Sequence, residues 1–337
     1  MNARDSNKRL TSKDIARIAG VSQTTVSRVL QGLPSVTDAT REHVLSVIRS
    51  HNYHPSAAAR SMKTSRTNSI AVVVDRLTNP LYPQLLQFVS AELHAHDLLM
   101  SVWESVPQFE DRLLRAIGEG VVDGVLTATA TAGEIRLLKT LAEQRPVVLV
   151  HRTLEDAPLD QISSDNLAGG KSVAGHFLAG GRRRPGLITA PAVASTIRDR
   201  ERGFRDALAA AGVALADAQL LRAEDFTYQC GYEAAQALLS RAPGLDCIFC
   251  ANDLLAIGAC DGLRAMGRVV PQDVWVIGYD DIPMAGWGAV GLSTMRQPLN
   301  VMARLAVQKL VARLNGETGK PETIRLHNEL VVRATSG

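Results

Sequence analysis

From residue 68 onward, short apolar runs alternate with longer amphipathic stretches. One series comprises SIAVVVD, DLLMSVW, VDGVLTA and PVVLVH, and a second comprises GLITA, DAQLLRA, LDCIFCA and VWVIGYD. Parallel strands that are covered by helices on both faces appear in a sequence as such apolar runs, because neither face is exposed to solvent. The two series therefore predict an α/β chain with two doubly wound parallel lobes.

The first 66 residues differ from the rest in charge. They contain eleven Lys/Arg and four Asp/Glu, a net charge of +7, whereas the remaining 271 residues contain 26 and 30, a net charge of −4. A small basic unit joined to a mildly acidic one suggests that only the small unit binds a polyanion. A solvated basic tail is the alternative, and charge alone does not decide between them.

Three short helices are predicted between residues 11 and 53. Thr11, Ser22 and Thr37 are suitable N-caps, and Gly20 separates the first two helices. A helix, a glycine turn and a second helix within about twenty residues form the geometry that places the second helix in the major groove. Its inner face is expected to carry Val26, Val29 and Leu30, and its outer face Gln23, Thr24, Ser27 and Arg28.

The segment TSKDIARIAGVSQTTVSRVLQG, which begins at Thr11, closely resembles the LacI family of bacterial repressors, as do the following VTDATREHV and YHPSAAARSMKTSRT. It departs from the family pattern only at Gln31, where asparagine is usual, and the resemblance continues to the final LVVRATSG. It implies a three-helix DNA-binding domain (1–54), a hinge helix with its linker (55–67) and an effector-binding core (68–337).

The same resemblance gives the core the fold of the periplasmic sugar-binding proteins. The N-terminal lobe is expected to span about 68–168 and 297–325, and the C-terminal lobe about 169–296 and 326–337. The effector would lie between these lobes, near the carboxyl ends of the strands.

The resemblance also assigns DNA-binding roles in the first unit. Bases would be read by Gln23, Thr24 and Arg28, and the phosphate backbone would be held mainly by Ser22, Thr25 and Ser27. Met62 occupies the position of a leucine that wedges into the minor groove, where methionine is also accepted; a core methionine is the alternative. The hinge has Ser56 where the family has asparagine. Thr11, Tyr53 and Ala59 complete the set of residues that are expected to bind DNA.

Ten positions are expected to bind the effector. Arg200 matches an arginine that commonly binds ligand hydroxyls or carboxylates, for which a guanidinium group is suited. Asn252-Asp253 and Asp280-Asp281 match two polar pairs of the second lobe. The ten are Leu77, Asn79, Tyr82, Trp103, Thr127, Arg152, Arg200, Phe226, Asn252 and Asp280. For each aromatic residue the alternative is core packing, and for each arginine a structural salt bridge.

Three further charged or reactive groups lie outside these two sets of residues. Arg198 favours an acidic effector, such as a sugar acid or phosphate, although a surface position explains it equally well. The basic run 182–184 is interpreted as a solvated turn. Cys247 and Cys250 form a CxxC within an apolar run, and residues three apart on a strand face opposite sides of the sheet, which suits neither a disulfide nor a metal.

These features predict a sequence-specific repressor of a carbohydrate-utilisation operon that binds a palindromic operator as a homodimer and responds to a small sugar-like effector. No cofactor or metal is expected. The N-terminus lacks an apolar signal core and no stretch approaches the roughly 20 apolar residues of a membrane span, so the expected location is the cytoplasm.

Two other classes of protein share parts of this pattern. A periplasmic sugar-binding protein would need a signal peptide and would lack the helix-turn-helix. An enzyme would need a nucleophile, a metal site or a phosphate loop, and the sequence contains no GxGxxG, Walker A, GxSxG or HExxH motif.

Overall fold

The computed structural model describes residues 10–53, 66–106 and 109–337. The chain divides between Thr67 and Asn68 into two compact units. No helix in the described ranges combines the length and the apolar character that crossing a membrane requires.

The N-terminal unit contains three helices: α1 (Ser12–Ile18), α2 (Gln23–Leu30) and α3 (Asp38–Ser50). All three predicted N-caps are confirmed. Thr11 forms a capping box with Asp14, and the side chains of Ser22 and Thr37 accept hydrogen bonds from backbone N–H groups in the first turns of α2 and α3. Gly20 connects α1 to α2 with a φ of +62°, a conformation that glycine adopts without strain.

A small apolar core holds these helices together. Ile15, Val26 and Val44 are completely buried, and one buried residue from each helix is enough to fix their packing. Leu30 was expected on the inner face but is largely exposed, because it is the last residue of α2 and lies at the edge of this core.

The second unit begins with strand β1 and alternates strands and helices. The strands are β1 (Ser69–Val74), β2 (Leu99–Glu104), β3 (Gly124–Thr127), β4 (Val147–Val150), β5 (Asp160–Ser164), β6 (Pro185–Thr189), β7 (Leu220–Arg222), β8 (Cys247–Cys250), β9 (Trp275–Asp280), β10 (Ser293–Arg296), β11 (Thr323–Leu326) and β12 (Glu329–Val331). The helices are α4 (Leu81–Ala95), α5 (Phe109–Gly118), α6 (Ile135–Ala142), α7 (Asn166–Ala179), α8 (Ser195–Ala210), α9 (Tyr228–Arg241), α10 (Asp253–Ala265) and α11 (Leu299–Leu314).

These strands form two six-stranded sheets, one in each lobe. The first has the order β11-β5-β4-β3-β1-β2 and is entirely parallel. The second has the order β12-β10-β9-β8-β6-β7, in which only β12 is antiparallel to its neighbour. The predicted pair of doubly wound parallel lobes is confirmed.

The chain crosses between the lobes three times, after β5, β10 and β11. Helix α11 therefore packs on the first lobe, where Leu299, Met302 and Leu310 join the core of β1, β3 and β4. The crossings lie side by side at the junction of the lobes. Any rotation of one lobe against the other therefore requires these three connecting segments to bend.

The inner strands of each sheet are buried on both faces, as the apolar runs predict, whereas the edge strands β2 and β7, which come from the runs DLLMSVW and DAQLLRA, are partly exposed. Cys247 packs with Phe177 and Phe204 on one face of the second sheet, whereas Cys250 packs with Leu238 on the other. The expectation that this CxxC faces opposite sides is confirmed, and all four cysteines are free thiols.

The basic run 182–184 forms a surface turn between α7 and β6. The carboxylate of Asp246 accepts hydrogen bonds from the backbone N–H groups of Arg183 and Arg184, at 3.1 and 3.0 Å. The Arg182 guanidinium lies 4.8 Å above the centre of the Trp275 ring. Arg183 and Arg184 are exposed, in agreement with a solvated turn, and these contacts fix the turn between α7 and β6.

Candidate functional site

A cavity of about 410 Å³ lies between the two lobes of the second unit. The residues that line it lie at or after the carboxyl ends of β1 and β4 in the first lobe and of β6, β7, β8 and β9 in the second. Its size is in the range of sites for small organic molecules, which are roughly 300–1,000 Å³. Parallel sheets place such sites at these strand ends, where helix N-termini and polar loops converge.

Seven of the ten predicted effector-binding residues line this cavity. They are Asn79, Tyr82, Arg152, Arg200, Phe226, Asn252 and Asp280. The aromatic ring of Phe226 is half-buried and packs on the second-lobe core, so it also forms part of the cavity wall.

The other three predicted residues lie outside the cavity lining. Leu77 is 44% exposed to solvent. The indole N–H of Trp103 donates to Ser101 Oγ at 2.9 Å, and the ring packs on the first-lobe core from edge strand β2. The Thr127 hydroxyl is buried against that of Thr129, at 3.3 Å.

Arg200, on α8, is the most firmly held side chain of the site. Its Nε donates to Asn166 Oδ1 at 2.8 Å and its Nη1 to the Ala251 carbonyl at 2.6 Å. Its Nη2 lies 3.2 Å from Asp280 Oδ1, and both side chains are only 3% exposed. The guanidinium also lies over the Tyr279 ring, 3.7 Å from its centre. These four contacts fix the orientation of the Arg200 guanidinium in the cavity wall.

Burial raises the pKa of Asp280 to about 6, although the attraction of Arg200 and a hydrogen bond from Gln297 act in the opposite direction. The backbone of Asp280 is also strained, with a φ of +117°. Strained conformations of residues other than glycine are concentrated at functional sites, where the surrounding contacts hold them in place.

The second members of the two polar pairs support this strained loop and do not line the cavity. The buried carboxylate of Asp253 accepts hydrogen bonds from the Ile282 N–H at 2.8 Å and the Thr294 hydroxyl at 2.5 Å. Asp281 accepts one from Arg333 at 2.7 Å and one from Arg296 at 2.7 Å. In each pair the first residue faces the cavity and the second fixes the loop behind it.

On the first-lobe side, Arg152 is nearly as buried as Arg200. Its Nη1 donates to the Thr129 carbonyl at 2.9 Å, and its Nη2 donates to Asp75 Oδ2 at 3.0 Å and to the Tyr82 hydroxyl at 3.2 Å. The site therefore has one buried arginine–carboxylate pair in each lobe.

His151 is a cavity residue that the sequence analysis missed. It directly follows β4, is 4% exposed and has a φ of +74°. Burial and the nearby charges of Arg200 and Arg152 hold the pKa of its imidazole well below its ordinary value, so the ring is neutral. The resemblance selected only its neighbour Arg152, although His151 is the first residue after β4 and a strand-end position would have indicated it.

Two contacts link the lobes beside the cavity. The guanidinium of Arg76, after β1, donates to the carboxylate of Asp225, after β7. The Thr153 N–H donates to Ser195 Oγ, at the start of α8, at 2.9 Å. Arg76 and Asp225 also line the cavity and were missed, because nothing in the sequence pairs residues about 150 positions apart.

The site is connected to the crossings between the lobes through Gln297. The Ser164 hydroxyl, at the first crossing, donates to Gln297 Oε1 at 2.7 Å, and Gln297 Nε2 donates to Asp280 Oδ1 at 2.7 Å. At the third crossing, Asn328 Nδ2 donates to the Tyr279 hydroxyl at 2.7 Å. These hydrogen bonds join Asp280 and Tyr279 of β9 to the segments that cross between the lobes.

In the N-terminal unit, α2 presents Gln23, Thr24 and Arg28 to solvent. Gln23 Nε2 donates to Ser12 Oγ at 2.9 Å, which ties this end of α2 to α1. Four other predicted DNA contacts support the helices: Thr11 and Ser22 cap them, Thr25 Oγ1 lies 2.9 Å from Ser22 Oγ, and Ser27 is half-buried.

Tyr53 is 7% exposed and belongs to the core of this unit, so most of its ring packs against the three helices. The predicted contacts Ser56, Ala59 and Met62 lie outside the described residues. Within the described ranges, no group of three or more His, Cys, Asp or Glu side chains is arranged to hold a metal ion.

Comparison with known proteins finds a family match in each of the two units. Residues 11–56 match the bacterial regulatory proteins of the lacI family, and residues 174–336 match a periplasmic binding protein-like domain. The chain is 35% identical over 337 residues to the HTH-type transcriptional regulator CelR of Thermobifida fusca, covering 97% of this chain and 98% of the relative. It is 32% identical to the ribose operon repressor of Escherichia coli K12, covering 97% and 99%.

A solved structure of a transcriptional regulator CelR–cellobiose complex superposes with a TM-score of 0.74 at 31% identity, covering 97% of this chain and 100% of that one. The relatives named here are transcriptional regulators and not enzymes. A helix-turn-helix with an exposed polar face, a two-lobed core with a ligand-sized cavity and full-length similarity together show that this chain belongs to the LacI family of bacterial transcriptional regulators.

Proposed function

We propose that the chain is an operator-binding repressor whose affinity for DNA is set by a small, hydroxyl-rich ligand in the cavity between the lobes. The observation that carries this proposal is the arrangement of Arg152 in one lobe and Arg200, Asn252 and Asp280 in the other around one cavity. Guanidinium, amide and carboxylate groups are suited to vicinal hydroxyls, which both donate and accept hydrogen bonds.

The names of two relatives refer to carbohydrates, which supports this interpretation. The CelR structure was solved with cellobiose, and another relative is named as a ribose operon repressor. A carbohydrate that bridges Arg152 and Asp280 would favour one angle between the lobes, and the Gln297 hydrogen bonds would carry that preference into the crossings.

The DNA-binding half of the proposal rests on α2. Gln23, Thr24 and Arg28 would read base edges, and a homodimer would place two copies of α2 on a palindromic operator. The hinge segment 55–67, with Met62 as its minor-groove wedge, would order or melt as the lobes move. Such a protein acts on chromosomal DNA, so its proposed location is the cytoplasm.

A gel-shift titration against a library of genomic fragments, followed by sequencing of the retained DNA, tests this function. We expect a palindromic site, and we expect Arg28→Ala to weaken binding to it by roughly ten-fold to one hundred-fold, because one bidentate contact with guanine contributes about 1–3 kcal/mol. Arg17→Ala, which changes another exposed arginine of the same unit, is the matched control. Retention of all fragments with equal affinity would contradict sequence-specific binding.

A further inference from the structure

Two successive residues at the end of β9 have an unusual backbone conformation. Asp280 has a φ of +117° and Asp281 a φ of +55°, both in the left-handed region that favours glycine. Such conformations persist only where the surrounding structure holds them in place. Asp280 lies in the cavity wall, 3.2 Å from Arg200. The contacts that hold this backbone therefore also set the position of a carboxylate that a ligand would meet.

The side chain of Asp281 is a point at which this backbone is held. One oxygen of its carboxylate accepts a hydrogen bond from Nη2 of Arg333 and the other accepts one from Nε of Arg296, each at 2.7 Å. The Asp281 N–H also donates to the Thr294 hydroxyl at 3.3 Å. With an arginine on each oxygen, the carboxylate has a fixed direction, and the backbone at 280–281 is fixed with it.

The two arginines differ in how firmly they are themselves held. Arg296 is 47% exposed, and it shares its guanidinium with Glu329, which is 66% exposed. Arg333 is 22% exposed, and its Nη1 donates to the Leu292 carbonyl at 2.7 Å. Exposed ion pairs contribute little, because water competes for both charges. Arg333 is therefore the stronger of the two constraints on Asp281.

The backbone that carries Arg333 is anchored to the second sheet. The Arg333 N–H donates to Ser293 Oγ at 2.8 Å, and the Ser293 hydroxyl donates to the Arg333 carbonyl at 3.0 Å. Two residues further on, the buried Thr335 hydroxyl donates to the Val276 carbonyl at 2.7 Å and accepts a hydrogen bond from the Ser293 N–H at 2.9 Å. The Arg333 side chain therefore approaches Asp281 from a fixed position.

We propose that Arg333 is a positioning residue of the cavity, which holds Asp281 so that Asp280 keeps its left-handed conformation beside Arg200. This inference rests on the proposed function, because it concerns the same cavity. Neither Arg333 nor Asp281 lines the cavity, so both act on a ligand only through Asp280. Without this link the backbone at 280–281 can relax to an ordinary φ, which carries the Asp280 carboxylate away from Arg200.

Crystal structures of the unliganded wild type, Arg333→Gln and Arg296→Gln test this link directly. Arg296→Gln is the matched control, since it removes the other hydrogen bond to the same carboxylate. We expect Arg333→Gln to give Asp280 a negative φ and to move its Oδ1 out of ion-pair reach of Arg200, whereas Arg296→Gln should change neither. Asp280 in its wild-type position in Arg333→Gln overturns the proposal.

A second variant keeps this test available if Arg333→Gln does not fold. The double substitution of Arg333→Met with Asp281→Asn removes both charges of the pair, so no buried charge is left unpaired. Asparagine also tolerates a left-handed backbone, so the substitution itself does not force the loop to move. We expect the same displacement of Asp280 in this variant, and an unmoved Asp280 overturns the proposal in the same way.

Calorimetry with cellobiose and ribose, the sugars that the names of two relatives mention, gives a readout that a purely structural role would not move. A sugar that binds the wild type should bind Arg333→Gln roughly five-fold or more weakly, with less dependence on pH, and Arg333→Lys should recover part of the loss. Arg333→Gln combined with Asp280→Asn should bind no more weakly than Asp280→Asn alone. Additive losses would overturn the proposal, because independent sites add and coupled ones do not.

The same variants separate the two proposals. If no carbohydrate alters the DNA complex in gel shifts, the proposed function fails, while the crystal structures still decide whether Arg333 holds Asp280. If a carbohydrate alters the DNA complex of the wild type and Asp280 is unmoved in Arg333→Gln, the proposed function stands and the role of Arg333 is refuted.

Discussion

Arg76 and Asp225 form an ion pair that bridges the two lobes at the cavity. Arg76 is 59% exposed and Asp225 24% exposed, so water and salt reach the pair. The two residues stay in contact only while the lobes are close together. The pair therefore favours the closed arrangement of the lobes, to the small extent that an exposed ion pair allows.

Removal of this pair is expected to weaken ligand binding. Asp225→Asn should raise the Kd of the effector roughly two- to five-fold, because exposed ion pairs contribute about 0.2–1 kcal/mol. Calorimetry at low and high salt measures the effect, which should shrink as salt screens the wild-type pair. The double variant Arg76→Asp with Asp225→Arg should recover part of the affinity. An unchanged Kd in Asp225→Asn would show that the pair does not stabilise the liganded state.

The close contact between α7 and α8 is expected to be essential for the position of Arg200. A Cβ at Gly170 would lie 2.2 Å from the Arg200 carbonyl oxygen, so Gly170→Ala must push the helices apart. We predict a loss of about 1–3 kcal/mol in the free energy of unfolding, typical of overpacking, and weaker effector binding. Gly175→Ala, on the same helix with open space around it, should instead stabilise by about 0.5–1 kcal/mol. Equal effects of the two substitutions in urea unfolding would contradict this interpretation.

Effector binding should depend on pH through Asp280. The pKa of about 6 means that this carboxyl is ionised at pH 7 and becomes protonated as the pH falls below 6. The protonated form loses its attraction to Arg200, so the Kd should rise between pH 7 and pH 5. His151 does not contribute in this range, because burial and the two arginines keep it neutral. Calorimetry of Asp280→Asn should show weaker binding with a flat pH profile; an unchanged slope would exclude Asp280 as the titrating group.

The raised pKa of Asp280 affects the stability of the unliganded protein in the opposite direction: a lower pH weakens effector binding but favours the folded state at this group. The folded state binds a proton at Asp280 more tightly than the unfolded chain does, since the ordinary pKa is 3.8. The contribution of this group to stability is therefore greatest below about pH 4 and is lost as the pH rises through 6. In urea unfolding of the unliganded protein, Asp280→Asn should remove this component of the pH dependence between pH 4 and 6.

The cysteines are expected to differ in reactivity. Burial raises the pKa of the thiols of Cys247 and Cys250 and raises that of Cys260 to about 12, whereas Cys230 is half-exposed. A thiol reagent should label one cysteine rapidly in the folded protein and all four in denaturant. Cys230→Ser should abolish the rapid reaction. Rapid labelling of Cys247 or Cys250 in the folded state would contradict the buried assignment of the CxxC.

Much of the fold was predictable because it depends on local patterns. The apolar runs located the buried strands, and Thr11, Ser22 and Thr37 located the starts of three helices. The family resemblance indicated Asp280 and Asn252, and both lie at strand ends, where the carboxyl ends of parallel strands converge whatever their sequence separation.

What could not be predicted was the direction and pairing of individual side chains. Trp103 ends a strand as Asp280 does, but β2 is an edge strand and its indole turns towards Ser101. Asp253 was grouped with Asn252, yet it points behind the loop towards Thr294. These outcomes depend on contacts made across long stretches of chain, and no local periodicity encodes them.

The most direct test of allosteric control measures the operator Kd by fluorescence anisotropy as the concentration of the effector sugar is raised to saturation. The proposed coupling predicts a change of at least about ten-fold, and operator must change the affinity for the sugar by the same factor, because binding linkage is reciprocal. An operator Kd that stays constant while calorimetry shows the cavity to be saturated would contradict the claim that this cavity controls DNA binding.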